Sequence, residues 1–127
     1  MSFPTDLKYT NDHEWLRVTA ATAQIGITQF AVEQLGDITL IDLPKVGDAL
    51  TKGERFGTVE SVKSVSDLYA PVSGKVAKIN PALVAAPELV NSDPYAAGWM
   101  VEIEGFSGAD IEALLDPTAY GKLVANQ

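Results

Sequence analysis

Apolar residues along this chain fall into short runs, each closed within a few positions by glycine, proline, asparagine or aspartate. Such runs are too brief for the 3.6-residue period of long helices and read as strands. Residues 13–19 carry Trp15, Leu16 and Val18, and residues 23–27 place Ile25 and Ile27 on one face. Residues 38–43 are nearly continuously apolar, the pattern of a strand covered on both sides. Residues 56–62 and 66–70 flank Lys63, and residues 75–79 follow Gly74. Trp99, Val101 and Ile103 alternate with Met100, Glu102 and Glu104.

Helical signals are short and peripheral. Thr28 is placed to cap a helix over 29–35, with Gly36 as its stop. Ser107 and Asp110 form a capping-box-like pair ahead of Ile111, Leu114 and Leu115, which share a helical face. Asp116 and Pro117 suit the start of a last helix with proline at its first position, although Gly121 weakens it. Turn residues punctuate 47–48, 52–53, 71–74 and 91–94. No low-complexity linker interrupts the chain, so a single domain over 1–127 is expected. Its fold class is mainly β, a small barrel or sandwich with helices at both ends. A degenerate echo links residues 46–53 with 71–90, on either side of the Lys63 segment.

Composition removes several chemistries. The 127 residues contain no cysteine and one histidine. Disulfides, zinc–thiolate sites and cysteine nucleophiles are therefore ruled out, and a reducing compartment fits. A lone histidine builds no metal site, so His13 is read as structural, and Trp15 and Trp99 as packing aromatics. No nucleophile–base pair, Gly-x-Ser-x-Gly elbow or phosphate loop is present, so no catalytic residue is assigned and the chain is not expected to be an enzyme. Nine basic residues scattered among 17 acids give a net charge of −8, which disfavours nucleic acid and favours steering toward positively charged partner faces. No apolar stretch approaches the roughly 20 residues a membrane span needs. The N-terminal residues lack the features of a secretory or organelle-targeting segment. With Met1 as native start, a bacterial cytoplasmic protein is expected, or a mature mitochondrial-matrix form in a eukaryote.

The chemistry concentrates between Gly57 and Gly74. Lys63 sits between two β-prone runs with Ser61, Ser64 and Ser66 beside it. A hairpin tip there would hold its amine clear of the strands, as a modifying enzyme requires. The spacing of Gly57, Lys63, Pro71 and Gly74, with the upstream Val46-Gly47-Asp48 turn, resembles the biotinyl/lipoyl-attachment domain family. Biotin carriers usually read Met-Lys-Met at the tip and acyltransferase lipoyl domains Asp-Lys-Ala. This chain reads Glu60-Ser61-Val62-Lys63-Ser64, which is similar to the glycine cleavage H-protein family, where alanine is usual in place of Ser64. Further landmarks of that family are matched by His13-Glu14-Trp15, Gly26-Ile27-Thr28, Leu35-Gly36-Asp37-Ile38, Tyr69 to Gly74, and Asn91-x-Asp93-Pro94-Tyr95 before Gly98-Trp99. Ala96-Ala97 departs from the family pattern, in which a glycine often stands there.

The resemblance implies a flattened hybrid barrel-sandwich of two small antiparallel sheets, its core over about 22–104 and a C-terminal helical extension over about 107–127. It implies lipoate, joined as an amide to Lys63, as the covalent cofactor, with no metal. The implied role is a non-catalytic carrier of the glycine cleavage system, monomeric, binding neither nucleic acid nor membrane. Its arm would receive the aminomethyl group of glycine at glycine decarboxylase, a pyridoxal-phosphate enzyme, and deliver it to aminomethyltransferase. Dihydrolipoyl dehydrogenase would then reoxidise it, and a lipoate ligase or lipoyl transferase would install the lipoyl group. The tip residues leave open a lipoate-relay scaffold or diverged relative that donates lipoate to other carriers. A labile, cationic passenger calls for a cleft with a carboxylate, and the candidates are Glu14 and Asp67; the alternative for both is a solvated surface acid. Glu60, three residues before the lysine, is a candidate for recognition by the ligase.

Overall fold

The computed structural model describes residues 3–126. The chain opens with β1 (Lys8–Tyr9), β2 (Glu14–Thr19) and β3 (Thr22–Ile27), followed by helix α1 (Gln29–Leu35). Next come β4 (Ile38–Asp42), β5 (Ala49–Leu50), β6 (Arg55–Ser61), β7 (Val65–Tyr69) and β8 (Gly74–Ile79). Two one-turn helices, α2 (Ala82–Ala85) and α3 (Leu89–Ser92), precede β9 (Val101–Glu104), and α4 (Gly108–Glu112) and α5 (Pro117–Ala125) end the described chain. All pairings are antiparallel. They build a six-stranded sheet in the order β1-β2-β3-β9-β8-β5 and a three-stranded sheet in the order β4-β6-β7. This is the expected mainly β sandwich of two antiparallel sheets with short peripheral helices.

The inner faces of the two sheets share one apolar core. Leu16, Ile25, Val76 and Ile103 from the larger sheet meet Ile41, Val59 and Leu68 from the smaller, all buried. Each such side chain contributes roughly 1.5–3 kcal/mol on burial. A second cluster joins the two ends of the chain. Tyr9 and Tyr120 stack with centroids 4.6 Å apart, and Phe3 lies edge-on to both. Tyr9 and Leu115 exchange a pair of backbone hydrogen bonds at 2.8 Å, fastening β1 to the segment before α5. Trp15, also in this cluster, is fully buried and donates from Nε1 to the Pro94 carbonyl at 2.9 Å. Its cross-strand partner is Gly26, where an added Cβ would stand 2.6 Å from the indole ring. Only glycine fits beneath the indole.

Local capping follows the side-chain chemistry. Thr28 Oγ1 accepts the Ala31 N–H at 3.3 Å at the start of α1, and Asp116 Oδ1 accepts the Ala119 N–H at 2.7 Å with Pro117 in the first turn of α5. Ser107 Oγ accepts the Ala109 N–H at 3.1 Å, but the Asp110 carboxylate accepts the Ser73 N–H at 3.4 Å. Only the serine half of the expected capping box forms.

Two expectations need correction. The run over 38–43 is not covered on both sides: Ile38 and Ile41 face the core, whereas Leu40 is 51% exposed. A register shift between Ile38 and Leu40 breaks its alternation, and on the outer face of this small sheet Leu40 and Val65 are exposed. Trp99 stands outside β9, in a turn where its N–H donates to the Ala96 carbonyl. β1, β5, α2 and α3 went unread, because elements of two or four residues hold too few positions to show a period.

Candidate functional site

Lys63 lies at the tip of the β6–β7 hairpin. The ladder runs to Glu60 opposite Val65, and the turn closes with the Ser61 N–H donating to the Ser64 carbonyl at 2.8 Å. Ser61 Oγ accepts the backbone N–H groups of Lys63 and Ser64, each at 3.2 Å. The serine hydroxyl thus does inside the turn what it does at a helix cap. Lys63 is exposed, and the ion pairs among the described residues, Arg17–Asp6 and Lys78–Glu102, do not involve it. Its side chain lies over Gly36, where a Cβ would meet Cε at 3.4 Å and Nζ at 3.9 Å. The hairpin is also tied to this segment by the Val62 N–H donating to the Asp37 carbonyl at 3.0 Å.

Between the free edge of β7 and α1 runs a groove of about 140 Å³, lined by Glu14, Asp67 and Gln34 among apolar Ile27, Leu35 and Leu68. Leu35 of this lining is the neighbour of Gly36, so the groove begins next to the lysine's resting place. The structure brings both predicted carboxylates, Glu14 and Asp67, to the same groove. Their environments are opposite. Asp67 is exposed and accepts the Tyr69 hydroxyl at 3.4 Å.

Glu14 is 2% exposed, so the solvated-acid alternative is wrong for it. Its Oε1 accepts the Thr10 hydroxyl at 2.8 Å and its Oε2 accepts the Tyr69 N–H at 3.1 Å. Thr10 Oγ1 in turn accepts the N–H groups of Asp12 and Glu14, which commits its proton to the carboxylate. Both contacts favour the anion, but burial outweighs them and raises the Glu14 pKa to about 8. Glu14 belongs to neither ion pair among the described residues. Both hydrogen-bonding partners of this buried carboxyl are donors, so a cation brought beside it would favour its ionised form. A second cavity of about 220 Å³ touches Glu14 from its other side, between Thr10, Lys52, Pro71 and Leu115.

The remaining predicted residues take other places. Glu60 is half-buried and shares a cross-strand row with exposed Leu40 and Val65, on the face of the small sheet away from the core. His13 occupies a structural position, its Nδ1 2.8 Å from the Tyr120 hydroxyl and its ring 4.7 Å from that of Phe30. The Tyr120 hydroxyl also meets Thr28 Oγ1 at 2.7 Å, and the Tyr95 hydroxyl accepts the Gln29 N–H at 2.9 Å. These two tyrosines, together with the Thr28 cap, fasten the start of α1 and hence one wall of the groove. Tyr95 stands in the sequence only as part of a family landmark and Tyr120 carries no signal at all, because their partners lie 66 and 92 residues away.

Comparison with known proteins agrees with this geometry. The family model described as Glycine cleavage H-protein matches residues 7–127. The chain is 55% identical to the glycine cleavage system H protein of Nitratidesulfovibrio vulgaris (strain DP4), over all of this chain and 98% of that one. It is 51% identical to that of Anaeromyxobacter sp. (strain K), over all of this chain and 99% of the relative. The crystal structure of a glycine cleavage system H protein from Mycobacterium marinum superposes with a TM-score of 0.86 at 40% identity, covering 94% of this chain and 97% of that one. By sequence and by fold alike, the chain belongs to the glycine cleavage H-protein family.

Proposed function

We propose that this chain is the lipoyl carrier of a glycine cleavage system, modified on Lys63, and that it makes no bond of its own in the cycle. Its arm would take the aminomethyl group from glycine decarboxylase to aminomethyltransferase and be reoxidised by dihydrolipoyl dehydrogenase. Lipoate, bound as an amide on the lysine nitrogen, supplies a dithiolane able to hold that group through sulfur. The observation that carries the reading is an exposed lysine on a serine-braced turn beside a groove that contains a buried carboxylate.

Each residue has a role this chain can perform alone. Ser61 braces the turn that carries the exposed Lys63 within reach of a ligase, and Glu60 offers that ligase an acidic contact three residues away. Leu35, Ile27 and Leu68 exclude water from the groove. Glu14, largely protonated at neutral pH while the groove is empty, has two carboxyl oxygens fixed by Thr10 and Tyr69, and an arriving ammonium group would draw it to the carboxylate form. Asp67, at the open side, adds negative charge of lesser effect because water screens it.

Intact mass after expression with lipoate and its ligase tests the attachment. One lipoyl increment on the wild type and none on Lys63→Ala is expected. Glycine–bicarbonate exchange with a glycine decarboxylase tests the role, and should be supported only by the modified protein. Modification without exchange would favour a lipoate-relay role, and a mass increment retained in Lys63→Ala would overturn the site.

A further inference from the structure

The turn that leaves α1 is held in an unusual way. Gly36 has φ +78° and ψ −152°, a conformation essentially restricted to glycine. Its carbonyl accepts the Asn91 Nδ2–H at 2.9 Å, while Asn91 Oδ1 accepts the N–H of Ile38, two residues on, also at 2.9 Å. One side-chain amide from α3 therefore brackets residues 36–38 at both ends. The residue between, Asp37, takes the Val62 N–H on its carbonyl. The connection runs from Asn91 through this bracketed turn to the residue next to Lys63. Lys63 Cε and Cδ lie 3.4 and 3.8 Å from where a Cβ on residue 36 would stand, so a side chain there would crowd the lysine methylenes.

We propose that Asn91 is a positioning residue for the arm. By clamping residues 36–38 it fixes a shelf on which the Lys63 side chain lies, beside Leu35 at the mouth of the groove. The inference rests on the reading of Lys63 as the attachment site, and it concerns direction, not chemistry. A lysine rooted on a hairpin tip alone would sample a wide cone. One resting on a rigid glycine turn beside Leu35 has its terminal methylenes and nitrogen placed before any acyl group is added. Asn91 is suited to this because a single planar amide offers a donor and an acceptor at fixed separation. Aspartate keeps the acceptor for Ile38 but loses the donor to Gly36; leucine loses both.

The first test uses the unmodified protein, so its outcome is independent of whether lipoate is ever attached. Proton NMR should show cross-relaxation between the Lys63 Hε and Gly36 Hα protons in the wild type. The same signals should weaken in Asn91→Asp, while amide shifts away from residues 36–38 and 61–64 stay in place. The second test uses the lipoylated protein after chemical reduction. Alkylation of the arm thiols by iodoacetamide should be about fivefold faster in Asn91→Asp, the change expected for one lost hydrogen bond, and faster again in Asn91→Leu. Should Asn91→Leu fail to fold, the wild type and Asn91→Asp decide the matter. Absent Lys63–Gly36 contacts in the wild type, or an alkylation rate unchanged in folded Asn91→Asp, overturns the proposal.

Discussion

The two ends of the groove are built from opposite materials. At the hairpin end, Lys63 stands exposed on a turn braced by Ser61 from within and by one backbone hydrogen bond, Val62 N–H to the Asp37 carbonyl, from outside. At the Glu14 end, a carboxylate is buried between Thr10 and Tyr69, next to the aromatic packing of Trp15, Tyr9 and Tyr120. On the proposed function, the first end meets several large partners and gains from being thin and wet. On the same reading the second holds something small, and gains from low dielectric and fixed donors. The comparison separates residues whose loss would cost function alone from those whose loss would also cost the fold.

The buried end should give the largest effects. The folded state raises the Glu14 pKa to about 8 from its ordinary 4.5, so folding takes up a proton there. The stability Glu14 contributes is full below about pH 4.5 and is lost as pH rises through 8. Glutamine has no such titration. The difference in unfolding free energy between wild type and Glu14→Gln, measured by denaturant titration, should therefore fall across that window by up to about 5 kcal/mol. A flat difference would mean that water reaches the carboxylate. Trp15→Ala leaves a cavity under Gly26 and frees the Pro94 carbonyl, and should cost about 3–5 kcal/mol in the same measurement.

Smaller effects sharpen the contrast. Tyr120→Phe keeps the stack on Tyr9 but removes the hydroxyl shared with His13 and Thr28, and should cost about 1–2 kcal/mol. Amide exchange should quicken first at the start of α1. Lys63→Ala should change stability by less than about 0.5 kcal/mol while abolishing modification. A larger loss would show that the lysine supports the fold and would erase the distinction between the two ends.

The amino-acid sequence by itself determined what depends on near neighbours. The caps of α1 and α5, the stop at Gly36, the strands around Lys63 and the turn that presents it all arise from contacts a few residues apart, where side-chain chemistry and spacing suffice. Tertiary structure alone decided the burial of Glu14, the outward face of Leu40, the clasp of Tyr120 on Thr28 and the bracket of Asn91 on Gly36 and Ile38. Each of these joins positions far apart in the chain or depends on whether another layer covers a face. No local pattern encodes that, because the same carboxylate is solvated or buried according to what folds over it.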